Sequence, residues 1–247
     1  MAGETGSAKS LGEIGLHDAG GSGVTVRGLT ADSRAVQAGN LFAALPGSAE
    51  HGARFAESAV AAGAAAILTD PAGAALIREA GDPAVPIVVT EDPRQALAFA
   101  AALWFGGQPE VVVAVTGTNG KTSVARFARQ IWPHLNLTAA NLGTTGVEGA
   151  YTAPLGHTTP DPVTLHRHLA AMAREGVTHL AMEASSHGLD QRRLDGVRLS
   201  AAGFTNFSQD HLDYHGSFEA YFDAMAGLFD RLLTEDGVAV INLDDPR

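Results

Sequence analysis

Between Val24 and Asp70, short apolar runs alternate with Gly, Pro and Asn punctuation, a pattern of brief strands and turns rather than of one long helix. Phe55 to Ala64 then reads as a helix feeding a strand over Ala65-Ala66-Ile67-Leu68-Thr69, and Pro86-Ile87-Val88-Val89-Thr90 reads as another short strand. Pro93 suits a helix start because its φ is already helical and its missing N–H is not needed there. Ala96, Leu97, Ala100, Leu103 and Trp104 follow on one face, which predicts a core-facing stripe. Gly106-Gly107-Gln108-Pro109 breaks that helix and marks a domain boundary. Beyond it, Val111 to Val115 is the continuous apolar run of a strand buried on both faces, and a helix is expected from Lys121 to about Ile131. Helices over Leu165 to Glu175 and Phe218 to Leu233, with strands over Thr178 to Met182 and Val238 to Leu243, complete the alternation. Strands alternating with helices predict an α/β fold with a parallel sheet and right-handed crossovers, in two domains spanning 1–107 and 108–247.

Composition narrows the function classes. The 247 residues are 45% hydrophobic and 17% charged, enough apolar material for more than one core. The formal charge of −11 is spread along the chain, which argues against nucleic acid as a partner because phosphate neutralisation needs clustered Lys and Arg. With no cysteine, neither a disulfide nor a thiolate metal site can form. Met1 to Ser10 lacks a long apolar stretch and no run of about 18 apolar residues occurs, so the expectation is a cytoplasmic protein without a membrane partner. The Gly-, Ala- and Ser-rich start predicts a mobile leader.

The clearest chemistry lies in Gly117-Thr118-Asn119-Gly120-Lys121-Thr122-Ser123, between the buried strand and its helix. A glycine-rich turn there gathers backbone N–H groups and the positive end of the helix dipole around one point, which suits a polyphosphate. Lys121 would reach the terminal phosphates and the Thr122 hydroxyl would ligate Mg²⁺, so ATP and Mg²⁺ are the expected cofactors. The spacing is GxxGK[ST], shorter than the common GxxxxGK[ST], with Val115 where that motif has its first glycine. A structural glycine turn that happens to precede a lysine is the alternative.

Further motifs follow in order: Thr158-Thr159-Pro160, Glu183-Ala184-Ser185-Ser186-His187-Gly188-Leu189, Phe204-Thr205-Asn206, and Asp210-His211-Leu212-Asp213-Tyr214-His215-Gly216. With the loop, they resemble the Mur ligases, more narrowly those that add the third residue of the peptidoglycan stem peptide. Leu29-Thr30-Ala31-Asp32-Ser33-Arg34 and Gly39 to Gly47 are similar to that family's nucleotide-sugar domain. The resemblance implies a UDP-sugar-binding domain followed by a P-loop-type central ATPase domain. It implies an ATP-dependent ligase in which a substrate carboxylate is phosphorylated and an amino acid's amine attacks the acyl phosphate. Because two anions must meet, cations have to screen them. By resemblance, Thr122 and Glu183 hold a Mg²⁺ between the β- and γ-phosphates, Lys121 neutralises the γ-phosphate and His211 ligates a second Mg²⁺. The catalytic set is Lys121, Glu183 and His211. UDP-N-acetylmuramoyl-L-alanyl-D-glutamate would contact Ala31, Ser33, His157, Thr158, Thr159, Ser185, Gln191 and Arg193. The Arg193 fork suits a carboxylate or diphosphate.

Taken alone, His211 fits a helix cap or core hydrogen bond, and Ser33 and Thr158 fit turn-forming hydroxyls. His211 and His215 also invite a zinc reading, disfavoured because HExxH is absent and no third soft ligand stands out. Two departures from the family stand out. Its carbamylated lysine falls at Met225, whose thioether is a poor ligand for a hard cation, and Gln209 replaces a usually basic residue. The family also continues past Arg247, so the central domain is expected to be incomplete here, the amino-acid-binding domain absent, and a separate C-terminal fragment a partner to consider. Two alternatives remain: a nucleotide-binding module without catalysis, and another ATP-dependent peptide or polyglutamate ligase.

Overall fold

The computed structural model describes residues 7–17, 23–47 and 50–245. The expected leader therefore falls largely outside the described residues, as do Pro246 and Arg247. The chain divides into two units, Met1–Trp104 and Phe105–Arg247.

The first unit opens with β1 (Lys9–Ser10), which pairs antiparallel with β2 (Thr25–Val26). Then come β3 (Gly28–Thr30), β4 (Asn40–Ala43), α1 (Ala56–Ala61), β5 (Ala66–Thr69), α2 (Pro71–Ala80), β6 (Ile87–Val89) and α3 (Pro93–Phe105). The last four strands form a parallel sheet in the order β3-β4-β5-β6. Phe42, Ile67 and Ile77 are buried with Ala53, Ala56 and Ala59, small residues that let helix and sheet approach closely.

Three local expectations change. The helix expected from Phe55 to Ala64 is a 3₁₀ turn, Gly52–Phe55, followed by the short α1. It stops where Gly63 takes a φ of 97°. Helix α2 was not anticipated, although Asp70 caps it by accepting the Gly73 N–H at 2.6 Å and Pro71 opens its first turn. On α3 the buried face is Leu97, Ala98, Ala100 and Ala101, while Leu103 is exposed. Leu103 lies six residues beyond Leu97, and at about 100° per residue it turns away from that face.

The second unit contains β7 (Val111–Thr116), α4 (Lys121–Ile131), β8 (Ala139–Gly143), β9 (Gly146–Gly149), α5 (Pro162–Arg174), β10 (His179–Glu183), α6 (Ser186–Asp190), β11 (Leu199–Phe204), α7 (Leu212–His215), α8 (Phe218–Gly227) and β12 (Leu233–Ile241). Its sheet has the order β12-β11-β7-β10-β8-β9. Pairing is parallel except at the β9 edge, which runs antiparallel to β8. Thr144 and Thr145 close this hairpin, and Gly146 supplies a φ of 96°. The parallel expectation fails there because a tight turn leaves no room for a crossover.

Helix α8 ends at Gly227 rather than Leu233, and a π turn over Leu228–Leu232 leads straight into β12. The expected last strand therefore begins earlier, with a register break beside Leu199 and Ala201. The core unites Val112, Leu142, Leu165, Leu169, Met172, Leu180 and Met182 across the sheet and α5. β7 lies between β10 and β11, so their carboxyl ends, Thr116, Glu183 and Phe204, form one edge. Open α/β sheets bind ligands at such an edge.

Candidate active site

The phosphate loop leaves the end of β7 and is held by residues beyond β11. The Thr118 N–H donates to the Asn206 carbonyl at 2.8 Å, and the Asn119 N–H donates to Asn206 Oδ1 at 3.0 Å. In return the Asn119 carbonyl accepts from Thr205 Oγ1 at 2.7 Å and from Asn206 Nδ2 at 3.0 Å. Gly117 has a φ of 124°, and a Cβ there would stand 2.2 Å from Thr205 Oγ1. The position admits only glycine. Gly120 caps α4 without a side chain, so the first-turn amides keep their donors for an anion. Lys121 Nζ lies back along the loop, donating to the Gly117 carbonyl at 2.6 Å and the Thr118 carbonyl at 3.0 Å. Burial pushes its pKa below that of a free lysine, while the charges of Glu183 and Asp210 oppose that shift.

Glu183 is the last residue of β10 and is buried. Its Oε2 accepts the Thr122 hydroxyl at 2.8 Å and the Thr144 hydroxyl at 3.2 Å, and its Oε1 accepts the Thr144 N–H at 2.9 Å. Thr144 Oγ1 lies 3.0 Å from Thr158 Oγ1, which extends this row of oxygens. A Cβ at Gly143 would meet Glu183 Oε1 at 1.9 Å. Gly143 and Thr144 were not identified in the sequence. The only signal was the Gly-Thr-Thr-Gly run, which reads simply as a turn.

Lys121, Thr122, Thr158, Glu183, Ser185 and His211 line one cavity of about 290 Å³, together with Thr144 and Tyr221. His211 has a left-handed backbone with φ 51° and caps α7, whose Tyr214 and His215 amides donate to its carbonyl. Its ring meets His187 edge-on at 4.9 Å and Tyr221 at 5.9 Å between centroids. Burial, together with the neighbouring His211, lowers the pKa of both His187 and His215.

Of the remaining predicted contacts, Thr159 is buried. Its hydroxyl donates to the Glu183 carbonyl at 3.0 Å and accepts the Ser185 N–H at 3.1 Å. Ser185 caps α6 through Gly188 N–H at 3.1 Å. Arg193 gives Nη1 to the Thr159 carbonyl at 2.7 Å and Nη2 to Gln191 Oε1 at 2.7 Å, and Gln191 reaches the Tyr214 hydroxyl at 2.9 Å. His157 is exposed on the loop before Thr158. Ala31 and Ser33 belong to the first unit, at a 3₁₀ turn capped by Asp32, whose Oδ1 accepts the Arg34 N–H at 3.0 Å.

Hard oxygen donors converge at Thr122, Thr144 and Glu183, a set that suits one Mg²⁺ sharing its remaining positions with water and phosphate. The second cation position is different. For the second cation expected at His211, Met225 offers no oxygen donor: it is 1% exposed and packs with Phe207 and Tyr221. Among the described residues, no three His, Cys, Asp or Glu side chains stand together as a metal centre.

Fold and site together define an open-sheet α/β protein with a glycine loop built to hold a polyphosphate. The Mur ligase middle domain matches residues 115–247, and the catalytic domain of the Mur ligase family matches residues 25–104. The chain belongs to the Mur ligase family. It is 56% identical over 223 residues to the UDP-N-acetylmuramoyl-L-alanyl-D-glutamate--2,6-diaminopimelate ligase of Brucella melitensis, covering 90% of this chain and 45% of that protein. The enzyme of the same name from Caulobacter vibrioides is 55% identical over 226 residues, covering 89% of this chain and 45% of the relative. A solved structure bearing that enzyme name superposes with a TM-score of 0.80 at 34% identity, over 97% of this chain and 48% of its own. MurF from Acinetobacter baumannii shares the fold at TM-score 0.63 and 18% identity, over 98% of this chain and 50% of its own. The chain thus spans about half the length of the relatives it matches.

Proposed function

We propose that this chain supplies the ATP site and the acid-substrate site of a ligase of peptidoglycan precursor synthesis. The reading assigns residues 1–107 to the nucleotide-sugar domain and 108–247 to part of the central ATPase domain. The acid is UDP-N-acetylmuramoyl-L-alanyl-D-glutamate. Relatives more than half identical carry 2,6-diaminopimelate in their names, which supports that amino acid as the amine substrate. The observation that carries the reading is the meeting of Lys121, the Thr122 hydroxyl and the Glu183 carboxylate beside the open amides of α4.

In this reading the loop amides cradle the phosphates of ATP. Lys121 leaves the Gly117 and Thr118 carbonyls for the γ-phosphate, offsetting its negative charge as the substrate carboxylate approaches. Thr122 and Glu183 would hold Mg²⁺, which would supply further charge neutralisation. Thr144 keeps the Glu183 carboxylate aimed into the cavity. Attack of the carboxylate oxygen on the γ-phosphorus forms the acyl phosphate and releases ADP, after which an amine displaces phosphate. Thr158, Thr159, Ser185, Gln191 and Arg193 would line the acid substrate in the central domain, with His157 beside them; Ala31 and Ser33 are the contacts proposed within the first unit taken by itself. A cytoplasmic location follows from this role.

Calorimetric titration with Mg²⁺-ATP and with the UDP-dipeptide, followed by an assay of ADP release, tests the reading. Both ligands should bind, and Lys121→Ala should weaken ATP binding. Failure of either ligand to bind would refute it. The aromatic packing of Met225 favours one second reading, a nucleotide-binding module without catalysis. Binding without turnover, even with a co-expressed C-terminal fragment, would support that module.

A further inference from the structure

Outside the residues assigned above, one buried hydroxyl reaches the phosphate loop from a distant helix. Tyr221 lies on α8 and is 1% exposed, yet its hydroxyl donates to Thr118 Oγ1 at 3.2 Å, across 103 residues of sequence. A threonine hydroxyl has one proton to give and two lone pairs to fill. For Thr118 all three are used. It donates to the Ser208 carbonyl at 3.1 Å, accepts the Ser208 N–H at 2.9 Å and accepts Tyr221.

Thr118 is also one of the two residues whose carbonyls hold Lys121 Nζ. Whatever fixes Thr118 therefore fixes the loop segment on which Lys121 rests. The Tyr221 ring has little freedom to move. It packs 5.4 Å from Phe207 and 5.3 Å from His215, centroid to centroid, and belongs to the same cluster as Met225. Burial raises its pKa, which keeps the phenol protonated as a donor.

We infer that Tyr221 is a positioning residue of the nucleotide site, holding the phosphate loop in its binding conformation through Thr118. This rests on the reading of the loop as an ATP site. Preorganisation of this kind acts on affinity because the loop need not be ordered when the ligand arrives. Removing the hydroxyl while keeping the ring isolates the effect.

Calorimetric titration of the full 247-residue chain with Mg²⁺ and a non-hydrolysable ATP analogue provides the test. Tyr221→Phe should bind about threefold to tenfold more weakly, the scale of one neutral hydrogen bond. Thr118→Val should lose at least as much, Thr118→Ser should stay near wild type, and Tyr221→Phe added to Thr118→Val should cost nothing more. Amide exchange in the free protein should also quicken at Thr118, Asn119 and Ser208 in Tyr221→Phe. Wild-type affinity in Tyr221→Phe, or fully additive losses in the double variant, would overturn the inference and leave the ATP site standing. A wild-type chain that binds no nucleotide would remove the ATP reading and this inference with it.

Discussion

Gly143→Ala is the sharpest test of how the fold aims Glu183. The added Cβ would stand 1.9 Å from Glu183 Oε1 and 2.4 Å from its Cδ, so the carboxylate must move. Its position is set by the Thr122 hydroxyl at 2.8 Å, the Thr144 N–H at 2.9 Å and the Thr144 hydroxyl at 3.2 Å. Hydrogen bonds to a charged group contribute about 1.5–3 kcal/mol each. The carboxylate ends a flexible side chain beside a solvent-connected cavity, so water replaces part of what is lost. A stability loss of about 1–2 kcal/mol is expected on that scale. Metal-dependent binding should suffer more, because in the proposed site Thr122 and Glu183 would no longer be placed to share one cation. Losing about 2–3 kcal/mol there corresponds to a roughly 30-fold to 140-fold weaker Mg²⁺-ATP complex, at about 1.4 kcal/mol per tenfold. Urea unfolding reports the first quantity and titration with Mg²⁺-ATP the second. A variant with wild-type nucleotide affinity would refute the reasoning, and so would one whose affinity falls only in step with its stability.

Two other outcomes are expected. Because burial lowers the Lys121 pKa, ATP affinity should begin to fall at an alkaline pH below the ordinary lysine value near 10.4, and Lys121→Ala should flatten that limb of the profile. The stability of the free protein should respond in the opposite direction. The unfolded chain holds that proton more tightly, so the Lys121 contribution to stability improves as pH rises through its folded pKa. A wild-type affinity that is flat to pH 10 would contradict both statements. Met225→Lys places an amine among Phe207 and Tyr221, at a site 1% exposed, and should cost about 2–4 kcal/mol near neutral pH. The buried amine's pKa would be depressed, so the loss should shrink between pH 7 and pH 10. Urea midpoints that are equal to wild type at both pH values would show that the side chain escapes the cluster.

Much of the second unit was legible because its signals are local. Val111 to Val115 announces a buried strand, and the glycine loop and α4 follow directly in sequence, so the place of Lys121 and Thr122 at the start of α4 can be read from spacing alone. Glu183 was legible only through its motif, since a carboxylate at a strand end has no distinctive local pattern. The antiparallel β9 edge and the early end of α8 were not legible, because a two-residue turn and a π turn carry weak sequence signatures. The α2 helix was missed although Asp70-Pro71 is a start signal, since the face it buries, Gly73, Ala74 and Ile77, carries a single large apolar residue.

The sequence by itself determined the alternation of strands and helices and the glycine loop that precedes α4. Each of these is a property of neighbouring residues. Only the tertiary structure decided which distant groups meet them. Gly143 and Thr144 shape the Glu183 carboxylate across about 40 residues of chain, and Tyr221 reaches Thr118 across 103. The physical reason is the strand order, which sets β7 between β10 and β11 and brings three chain-distant carboxyl ends to one edge. Burial of Met225 among aromatic rings is likewise a product of packing rather than of any local sequence signal.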